Sequence, residues 1–564
     1  MIRKKFGLSA LTLLLTISLT TSLTATNTVS AKEKEQKVTI MLTSDLHGYI
    51  TPIQYTNNEP VDHGLAKVST LIKQVRQQNP NALLLDNGDL IQGSPMEYYH
   101  ARFDNKPIDP MILTMNALKY DSMTIGNHEY NYGQAVMEKA MNEAKFPWLS
   151  ANTVWKGTNK VYTKPYQVFK MKNGLRVGVL GLTTKKIPNW EDPKNIAHLD
   201  FLDPVETAKK WVPHLKKKEK VDVVVIAYHG GLEHKKEADG TITPLPSHDG
   251  ENQAYELATQ VKDLDVILTG HMHIALPDVR VNGVLVTEPG KWGSHLSVVD
   301  LNVKKKKGKW MVTDKKAQLL SVEGVPADPK VLKLIQNYET KTQAFLDQPV
   351  GKISEDLSVT NHHYVRTHDT ALIQFINKVQ MEASGATISS TSLFDNTVTG
   401  LPENVTTRDI LSTYIYPNTL KVIQVKGSDI KAALEQTAKY FKQNNGQEPV
   451  EVNPLYLSPK VQHYNYDMWE GVQYTIDVSK SEGQRIVELN DLNGQPLDLN
   501  KEYNIVLNNY RAGGGGNYPM FAGKPVLKDI NIEVSELMTN YIGEQGTVQA
   551  EVDHNWKIIG GLVE

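Results

Sequence analysis

The sequence predicts a two-domain α/β protein, and three observations lead to this prediction. The chain has 564 residues, which is more than one compact domain usually holds. From Lys37 to about Leu301, short apolar segments rich in β-branched residues alternate with polar loops and helical stretches, as in sheets buried on both faces. After a proline-containing segment, a helical stretch from Lys330 to Leu346 precedes a second α/β region. We therefore expect an N-terminal α/β sandwich at 32–325, a connecting helix and linker at 326–349, and a C-terminal α/β domain at 350–564.

The amino-acid composition limits the kinds of partner and active site that this chain can have. Hydrophobic residues make up 40% and charged residues 22% of the chain, which is typical of globular proteins. The formal net charge of −2 argues against a partner that is polymeric nucleic acid. Because the sequence contains no cysteine, it has no disulfide, thiolate nucleophile or thiolate zinc site. Any metal must be held by His, Asp, Asn or Glu side chains.

The first 31 residues resemble a signal peptide. Basic residues at 3–5 precede an apolar run from about Phe6 to Leu23, and Val29-Ser30-Ala31 offers small residues to a signal peptidase. We expect cleavage after Ala31 and a secreted, extracellular protein, with loose association with the cell wall left open. A retained N-terminal anchor is the alternative. No later segment of the sequence is long and apolar enough to cross a bilayer.

The N-terminal region contains seven predicted strands and at least two predicted helices. The strands are Val38–Leu42, Ala82–Leu85, Ser122–Ile125, Val177–Leu180, Val221–Ala227, Val266–Leu268 and Val284–Val286, and the helices are Leu65–Gln77 and Glu251–Val261. The lysine run Lys304–Lys307 follows a strand and is expected in a solvated hairpin.

Potential metal ligands follow five of these strands. In chain order they are Asp45 and His47, then Asp89, then Asn127 with His128, then His229, then His271 and His273. Ligands two residues apart leave an extended segment on the same side. Because sites in open α/β sheets form at the carboxyl ends of strands, we expect these side chains to converge.

Seven oxygen and nitrogen donors suffice for two divalent cations that share one carboxylate. Two cations a few ångströms apart can bind a phosphate oxygen and activate water. The alternative is a set of unrelated polar loop residues, but five matching strand ends argue against it. The sequence therefore predicts a dinuclear metal centre, with Zn²⁺, Mn²⁺, Co²⁺ and Fe²⁺ all compatible with the ligands.

These motifs, in this order, resemble the calcineurin-like metallophosphoesterases. Together with Tyr414–Leu420 and Asn508–Gly516, the mature chain resembles the secreted 5′-nucleotidase family. The resemblance implies that Asp45, His47 and His273 hold one metal, that Asn127, His229 and His271 hold the other, and that Asp89 bridges them. It also implies that His128 stabilises the transition state, the alternative being a histidine that only hydrogen-bonds a ligand. Asp86 and Glu129 are expected to support the ligands.

Three departures from the 5′-nucleotidase pattern point to one branch of the family. Asn131 stands where an aspartate orients the catalytic histidine, the segment 86–95 matches another branch, and Ser389–Phe394 replaces the Asn-Gly-Gly-x-Ile-Arg motif. All three features resemble the 2′,3′-cyclic-nucleotide 2′-phosphodiesterase/3′-nucleotidase branch.

The same resemblance places substrate-binding residues in the C-terminal domain. Tyr416 and Tyr510 would sandwich the base, although aromatic residues are also common in cores. Gly513 and Gly514, in the run 513–516, would allow close backbone approach to substrate or form a turn. For Arg511, two roles stay open: contact with phosphate or an internal ion pair.

We therefore expect a secreted enzyme that opens 2′,3′-cyclic nucleotides to 3′-nucleotides and dephosphorylates these to nucleoside and phosphate. Family resemblance implies that the domains close around substrate about a hinge near the connecting helix. Two alternatives stay open: a 5′-nucleotidase or nucleotide-sugar hydrolase, and a secreted surface-binding protein whose metal site is structural.

Overall fold

A computed structural model describes residues 35–189, 191–236, 241–244, 250–458, 460–530 and 532–563. The expected signal peptide lies outside the described residues. Within them, no helix is both long and apolar enough for a membrane span.

The N-terminal domain is built on two six-stranded sheets. In spatial order, the first contains Lys309–Ser321, His295–Lys306, Gln36–Thr43, Leu83–Asp86, Ser122–Thr124 and Trp148–Leu149. The second contains Ala275–Val281, Val284–Pro289, Val266–Leu268, Val223–His229, Arg176–Thr183 and Tyr166–Lys170. Two short pairs, Thr153–Trp155 with Leu199–Phe201 and His234–Lys236 with Ile242–Pro244, flank them. The seven predicted strands are confirmed to within about three residues, and the lysine run lies at the expected hairpin.

The two sheets enclose a core of aliphatic side chains. Ile40 and Leu85 of the first sheet belong to the same buried cluster as Val225 and Leu268 of the second, and none is more than 1% exposed. Helices cover the outer faces at Leu65–Gln78, Pro95–Arg102, Pro110–Leu118, Gln134–Glu143, Pro204–Lys217 and Ala254–Gln260. Strands buried on both faces explain the continuous β-branched runs in the sequence.

Parallel pairing brings the strand ends together. Gln36–Thr43, Leu83–Asp86 and Ser122–Thr124 run parallel to one another, as do Val223–His229 and Val266–Leu268. The loops that follow these five strands therefore emerge at the carboxyl ends of the sheets, where ligands bind in this type of fold.

The C-terminal domain has a five-stranded central sheet in the order Asp467–Glu470, Ile388–Ser392, Glu502–Asn508, Leu420–Lys426 and Val526–Ile530. Smaller sheets contain Asn404–Thr406, Pro349–Ile353 and Thr547–Val548; Leu357–Ser358 and Gly400–Leu401; and Ile486–Asn490, Gln473–Asp477 and Trp556–Ile559. Helices span His362–Thr367, Ala371–Ser384, Thr407–Thr413, Gly427–Ala438, Asn509–Ala512 and Val534–Gln545. The α/β class expected for this region is confirmed.

The connecting helix spans Pro329–Leu346 and packs on the N-terminal domain. Val331, Ile335 and Leu346 belong to the buried cluster of that domain. Asp328 caps the helix: its side chain accepts from the Lys330 amide at 3.1 Å and from Ser69 Oγ at 2.6 Å. The cap therefore fixes the first turn of the helix to the N-terminal domain.

Replacing Asp328 tests this attachment. Asp328→Ala removes an N-cap acceptor that is 4% exposed, and we expect the free energy of unfolding to fall by about 1–2 kcal/mol. Asp328→Asn keeps the oxygen that caps the Lys330 amide and loses the acceptor for Ser69 Oγ and the ion pair with Lys73, so its loss should be smaller. Urea unfolding monitored by circular dichroism measures both, and equal losses would contradict the capping role.

Candidate metal centre and substrate cleft

Seven predicted ligands converge at the carboxyl ends of the two sheets. One group contains Asp45, His47, Asp89 and His273, and the other contains Asp89, His229 and His271; in each, the ligand atoms lie within 4.8 Å of one another. Asn127 Oδ1 lies 3.1 Å from His229 Nε2, beside the second group. The structure thus brings together all seven residues, and Asp89 belongs to both groups.

The backbone at the ligands is unusual. Asp45, His47, Asp89, His271 and His273 all have positive φ angles, between 47° and 71°. Side chains other than glycine rarely adopt this region, and the strain is of order 1–3 kcal/mol per residue. Hydrogen bonds between neighbouring strand ends hold it: the Asp45 amide donates to Gly88 O and the His47 amide to Asp89 O, both at 2.9 Å. Strain maintained in this way is characteristic of functional sites.

The carboxylate of Asp89 lies at the centre of the site. Its Oδ1 accepts from the His128 amide at 2.8 Å, while its Oδ2 has no hydrogen bond of suitable geometry. Around Oδ2 lie the Nε2 atoms of His229 at 3.2 Å, His47 at 3.9 Å and His128 at 4.0 Å. Burial opposes ionisation of Asp89, but these histidines outweigh it and hold its pKa well below the usual value. A buried anionic oxygen ringed by imidazole nitrogens fits a divalent cation.

Carbonyl groups set the orientation of two ligand imidazoles. His47 Nδ1 donates to Gln92 O at 3.0 Å, and His229 Nδ1 donates to Asn87 O at 2.6 Å, so both Nε2 atoms point inward. His47 Nε2 lies 3.1 Å from His273 Nε2. Burial lowers the pKa of His47 to about 3, which leaves its ring neutral, as metal ligation requires.

The electrostatics differ between the two groups. Burial lowers the pKa of His229, but Asp89, Asp45 and Glu129 outweigh it and raise that pKa to about 10. Burial raises the pKa of Asp45 to about 6 against the opposing effect of His229. His271 donates from Nε2 to Glu251 Oε1 at 2.5 Å. With its two carboxylates, an amide and four imidazoles, the donor set of the site fits a pair of divalent cations.

Glu129 and Asp86 support the ligands as expected. Glu129 accepts the amides of Gly126, Asp89 and Leu90 at 2.6, 3.0 and 2.5 Å. Asp86 accepts from Thr43 Oγ1 at 2.7 Å and from the Gly88 amide at 2.9 Å. Both carboxylates therefore brace the loops that carry Asp89 and Asn127.

His128 is held by a chain of two further side chains. Its Nδ1 donates to Asn131 Oδ1 at 2.6 Å, and Asn131 Nδ2 donates to Glu191 Oε2 at 2.8 Å. The other oxygen of Glu191 accepts from Asn195 at 2.9 Å. Because its amide group donates to Glu191, Asn131 must present oxygen to His128. Sequence reasoning missed Glu191, which no motif marks and which lies 60 positions beyond Asn131.

A cavity of about 1430 Å³ runs from the metal ligands to the C-terminal domain. His128 and Asn127 line one part of it, and Tyr416 and Tyr510 line another. Lys291 of the N-terminal domain and Lys460 of the C-terminal domain also line it, and Lys460 Nζ donates to His271 O at 3.3 Å. The cleft is therefore shared between the domains and contains cationic groups from both.

Three tyrosines form an aromatic slot in this cleft. Tyr464 lies 6.4 Å from Tyr416 and 6.4 Å from Tyr510 between ring centroids, at interplanar angles of 78° and 73°. The two tyrosines predicted from sequence are thus joined by a third that sequence reasoning missed. Planar aromatic groups in such a slot suit stacking with a nucleobase.

The glycine run packs closely around the slot. A Cβ atom at Gly515 would lie 2.6 Å from the Tyr510 ring, and one at Gly513 would lie 2.6 Å from Asn189 O in the N-terminal domain. Gly514, with a φ angle of +90°, also lines the cleft. A larger residue at 513 would therefore force the two domains apart, and a larger residue at 515 would displace the Tyr510 ring.

Arg511 has an internal role. Its side chain is 1% exposed and is paired with Asp467 through Nε at 2.7 Å and Nη2 at 2.9 Å. A third nitrogen, Nη1, donates to Gly515 O. Of the two roles left open by the sequence, the structure contains the ion pair with Asp467, and contact with substrate stays a prediction.

Comparisons with known proteins agree with this architecture. The calcineurin-like phosphoesterase family model matches residues 38–275, and the model for the 5′-nucleotidase C-terminal domain matches residues 349–523. The 2′,3′-cyclic-nucleotide 2′-phosphodiesterase/3′-nucleotidase of Haemophilus influenzae is 30% identical, over 92% of this chain and 87% of its own length.

Two further matches come from Bacillus subtilis and Staphylococcus aureus. The trifunctional nucleotide phosphoesterase protein YfkN of Bacillus subtilis is 30% identical over 92% of this chain, which spans only 39% of that protein. A crystal structure of a putative 5′-nucleotidase from Staphylococcus aureus, in complex with alpha-ketoglutarate, superposes with a TM-score of 0.84 at 31% identity. The superposition covers 93% of this chain and 100% of the Staphylococcus aureus chain.

Asn131 offers a test of how His128 is positioned. Asn131→Ala removes the acceptor for Nδ1, and we expect kcat to fall roughly 10–100-fold with metal content unchanged. Asn131→Asp keeps an acceptor and should retain a higher kcat than Asn131→Ala. His128→Ala removes the imidazole itself and should have the lowest kcat, reduced by a factor of about 10²–10⁴. Steady-state kinetics and elemental analysis measure these effects. Metal loss in Asn131→Ala, or unchanged kcat, would contradict the positioning role.

Proposed function

Because this chain belongs to the 5′-nucleotidase family of metallophosphoesterases, we propose that it is a secreted hydrolase of 2′,3′-cyclic nucleotides and 3′-nucleotides. The observation that carries the proposal is the single cleft that joins the metal ligands to the three-tyrosine slot. Asn131 and the 30% identity to the Haemophilus influenzae enzyme support the cyclic-nucleotide branch. The expected location rests on the sequence pattern at 1–31.

The proposed reaction has two hydrolytic steps. Water attacks the phosphorus of the cyclic phosphodiester, the bond to the 2′ oxygen breaks, and that oxygen takes a proton to give a 3′-nucleotide. A second water attacks this monoester, the bond to the 3′ oxygen breaks, and nucleoside and inorganic phosphate result. The side chains that would hold two divalent cations are Asp45, His47, Asp89, Asn127, His229, His271 and His273, and the bound cations would supply Lewis-acid activation of the phosphoryl group and of water.

His128 acts on the phosphoryl group. The side chain lines the cleft and is 27% exposed, so its Nε2 is accessible to substrate. Since Nδ1 is engaged by Asn131, Nε2 is the ring nitrogen left to form a hydrogen bond with a phosphoryl or leaving oxygen. Hydrogen bonds of this kind stabilise the charge that develops in the transition state.

Two lysines add positive charge next to the metal ligands. Burial lowers the pKa of Lys291, while Asp395 raises it in part. Lys460 approaches the site from the other domain through its bond to His271 O. Cationic groups from both domains favour a dianionic phosphate and draw the domains around it.

The tyrosine slot recognises the base in this proposal. Stacking contributes roughly 1–3 kcal/mol per base and depends little on base identity, because every base has a π-face. With the base in the slot, ribose and phosphate extend toward His128. The proposed substrate class is therefore nucleotides in general rather than one base.

A 5′-nucleotidase is the second candidate, favoured by the similarity to the Staphylococcus aureus structure. Both candidates use the same ligands and the same slot, and they differ in which phosphate ester reaches the metal centre. A secreted binding protein with a structural metal site predicts no turnover.

Release of phosphate and nucleoside from 2′,3′-cyclic AMP, 3′-AMP and 5′-AMP distinguishes these candidates. We expect rapid, chelator-sensitive turnover of the first two and slow turnover of 5′-AMP. Dominant hydrolysis of 5′-AMP would favour the second candidate. No turnover by metal-loaded protein would contradict both enzymatic assignments.

The slot is tested by replacing its tyrosines. Tyr416→Ala, Tyr464→Ala and Tyr510→Ala should each raise KM for 3′-AMP by about 5–100-fold, the equivalent of the stacking energy. Hydrolysis of 4-nitrophenyl phosphate should change little, because this ester can reach the metal centre without occupying the slot. Tyr364→Ala, at an exposed site away from the cleft, is the matched control. Equal losses with both substrates would contradict the stacking role.

A further inference from the structure

A second cluster of carboxylates lies in the C-terminal domain, apart from the cleft. Asp369, Glu470 and Asp553 each place an oxygen within 4.8 Å of the others. They come from three segments: Asp369 precedes the helix Ala371–Ser384, Glu470 ends the strand Asp467–Glu470, and Asp553 precedes the strand Trp556–Ile559. None of the three lines the substrate cleft.

The cluster contains buried oxygens without hydrogen-bond donors. Glu470 is only 2% exposed, and its Oε1 has no hydrogen bond. Both carboxylate oxygens of Asp369 are likewise buried; the backbone amides of Asn555 and His554 lie near them but outside hydrogen-bond geometry. A buried carboxylate oxygen with no donor is costly, and in native structures it usually indicates a proton, a water or an ion.

The cluster has no lysine or arginine counterion among the described residues, and His554 lowers the pKa of Asp369 only in part. No lysine or arginine in the described part of the chain forms an ion pair with any of the three; the nearby Lys378 is paired with Glu551. Burial raises the pKa of Glu470 to about 9, with Asp553 and Asp369 adding to the effect. Burial and Asp553 raise the pKa of Asp369 to about 6, against the backbone amides of Asn555 and His554. The three carboxyl groups therefore disfavour one another's ionisation at this position.

The chemistry of the cluster selects the type of ion. Carboxylate oxygens without imidazole or thiolate are the ligands of hard cations, and Ca²⁺ accepts six to eight oxygens in flexible geometry. Thr370 Oγ1 and Asn555 Oδ1, on residues next to the cluster in sequence, are further buried oxygens without hydrogen bonds. Imidazole-rich ligands, as in the dinuclear centre, suit other metals.

We propose that Asp369, Glu470 and Asp553 bind a divalent cation of the Ca²⁺ type. The ion joins the start of a helix, the edge of the central sheet and the segment before the last strand, and so stabilises the C-terminal domain. The site is independent of the proposed enzymatic function, because none of its residues faces the cleft.

Thermal unfolding of the full chain tests the proposal. After chelation and dialysis, Ca²⁺ at 100 times its dissociation constant should raise the Tm of the wild type by roughly 5 °C. Asp553→Asn should abolish this shift, and without Ca²⁺ it should be at least as stable as the wild type, because it removes repulsion. Glu551→Gln, a matched loss of charge two residues away, should keep the shift.

Terbium luminescence locates the ion. Tb³⁺ replaces Ca²⁺ at oxygen sites and is excited through nearby tryptophan; Trp469 adjoins Glu470 and Trp556 adjoins Asn555. Sensitised emission should appear in the wild type, be displaced by Ca²⁺, and be lost in Asp553→Asn and Glu470→Gln. An equal Ca²⁺ shift in Asp553→Asn would place the ion elsewhere and overturn the proposal. No Ca²⁺ shift, with a Tm that rises on acidification, would also overturn it, since protons would then neutralise the carboxylates.

Discussion

The site depends on a buried carboxylate that is shared by two groups of ligands. Asp89 is 1% exposed and lies amid the imidazoles of His47, His128 and His229. Taking such charges out of water is expensive unless they interact with one another and with a cation. The amides bound by Glu129 and the strained backbone of the five strand-end ligands are the structural means by which the protein holds this arrangement.

The two domains contribute different groups to the cleft. The candidate metal ligands lie at strand ends of the N-terminal sandwich, whereas the three tyrosines of the cleft belong to the C-terminal domain. Gly513 against Asn189 and Lys460 against His271 show how close the two surfaces come. The connecting helix packs with the N-terminal core, so the covalent link to the other domain follows Leu346.

The replacement of aspartate by Asn131 has a structural counterpart. An asparagine amide could present either end to His128, but Glu191 accepts from the nitrogen and so fixes the oxygen toward the ring. Asn131 thus presents an acceptor oxygen to His128, and the Glu191 carboxyl group, whose pKa is raised by burial, lies behind it on another loop.

The sequence by itself determined the fold class, seven strands of the N-terminal domain, the connecting helix and the seven candidate ligands. The strands could be predicted because their residue pattern is local. The ligands could be predicted because each one lies in the short loop directly after its own strand. The roles of Arg511, Glu191, Tyr464 and the Asp369–Glu470–Asp553 cluster were decided only by the tertiary structure. Arg511 meets Asp467 from 44 positions away, and Asp553 meets Asp369 across most of a domain. Such contacts depend on how sheets, helices and loops pack in three dimensions, and no local pattern in the chain encodes them.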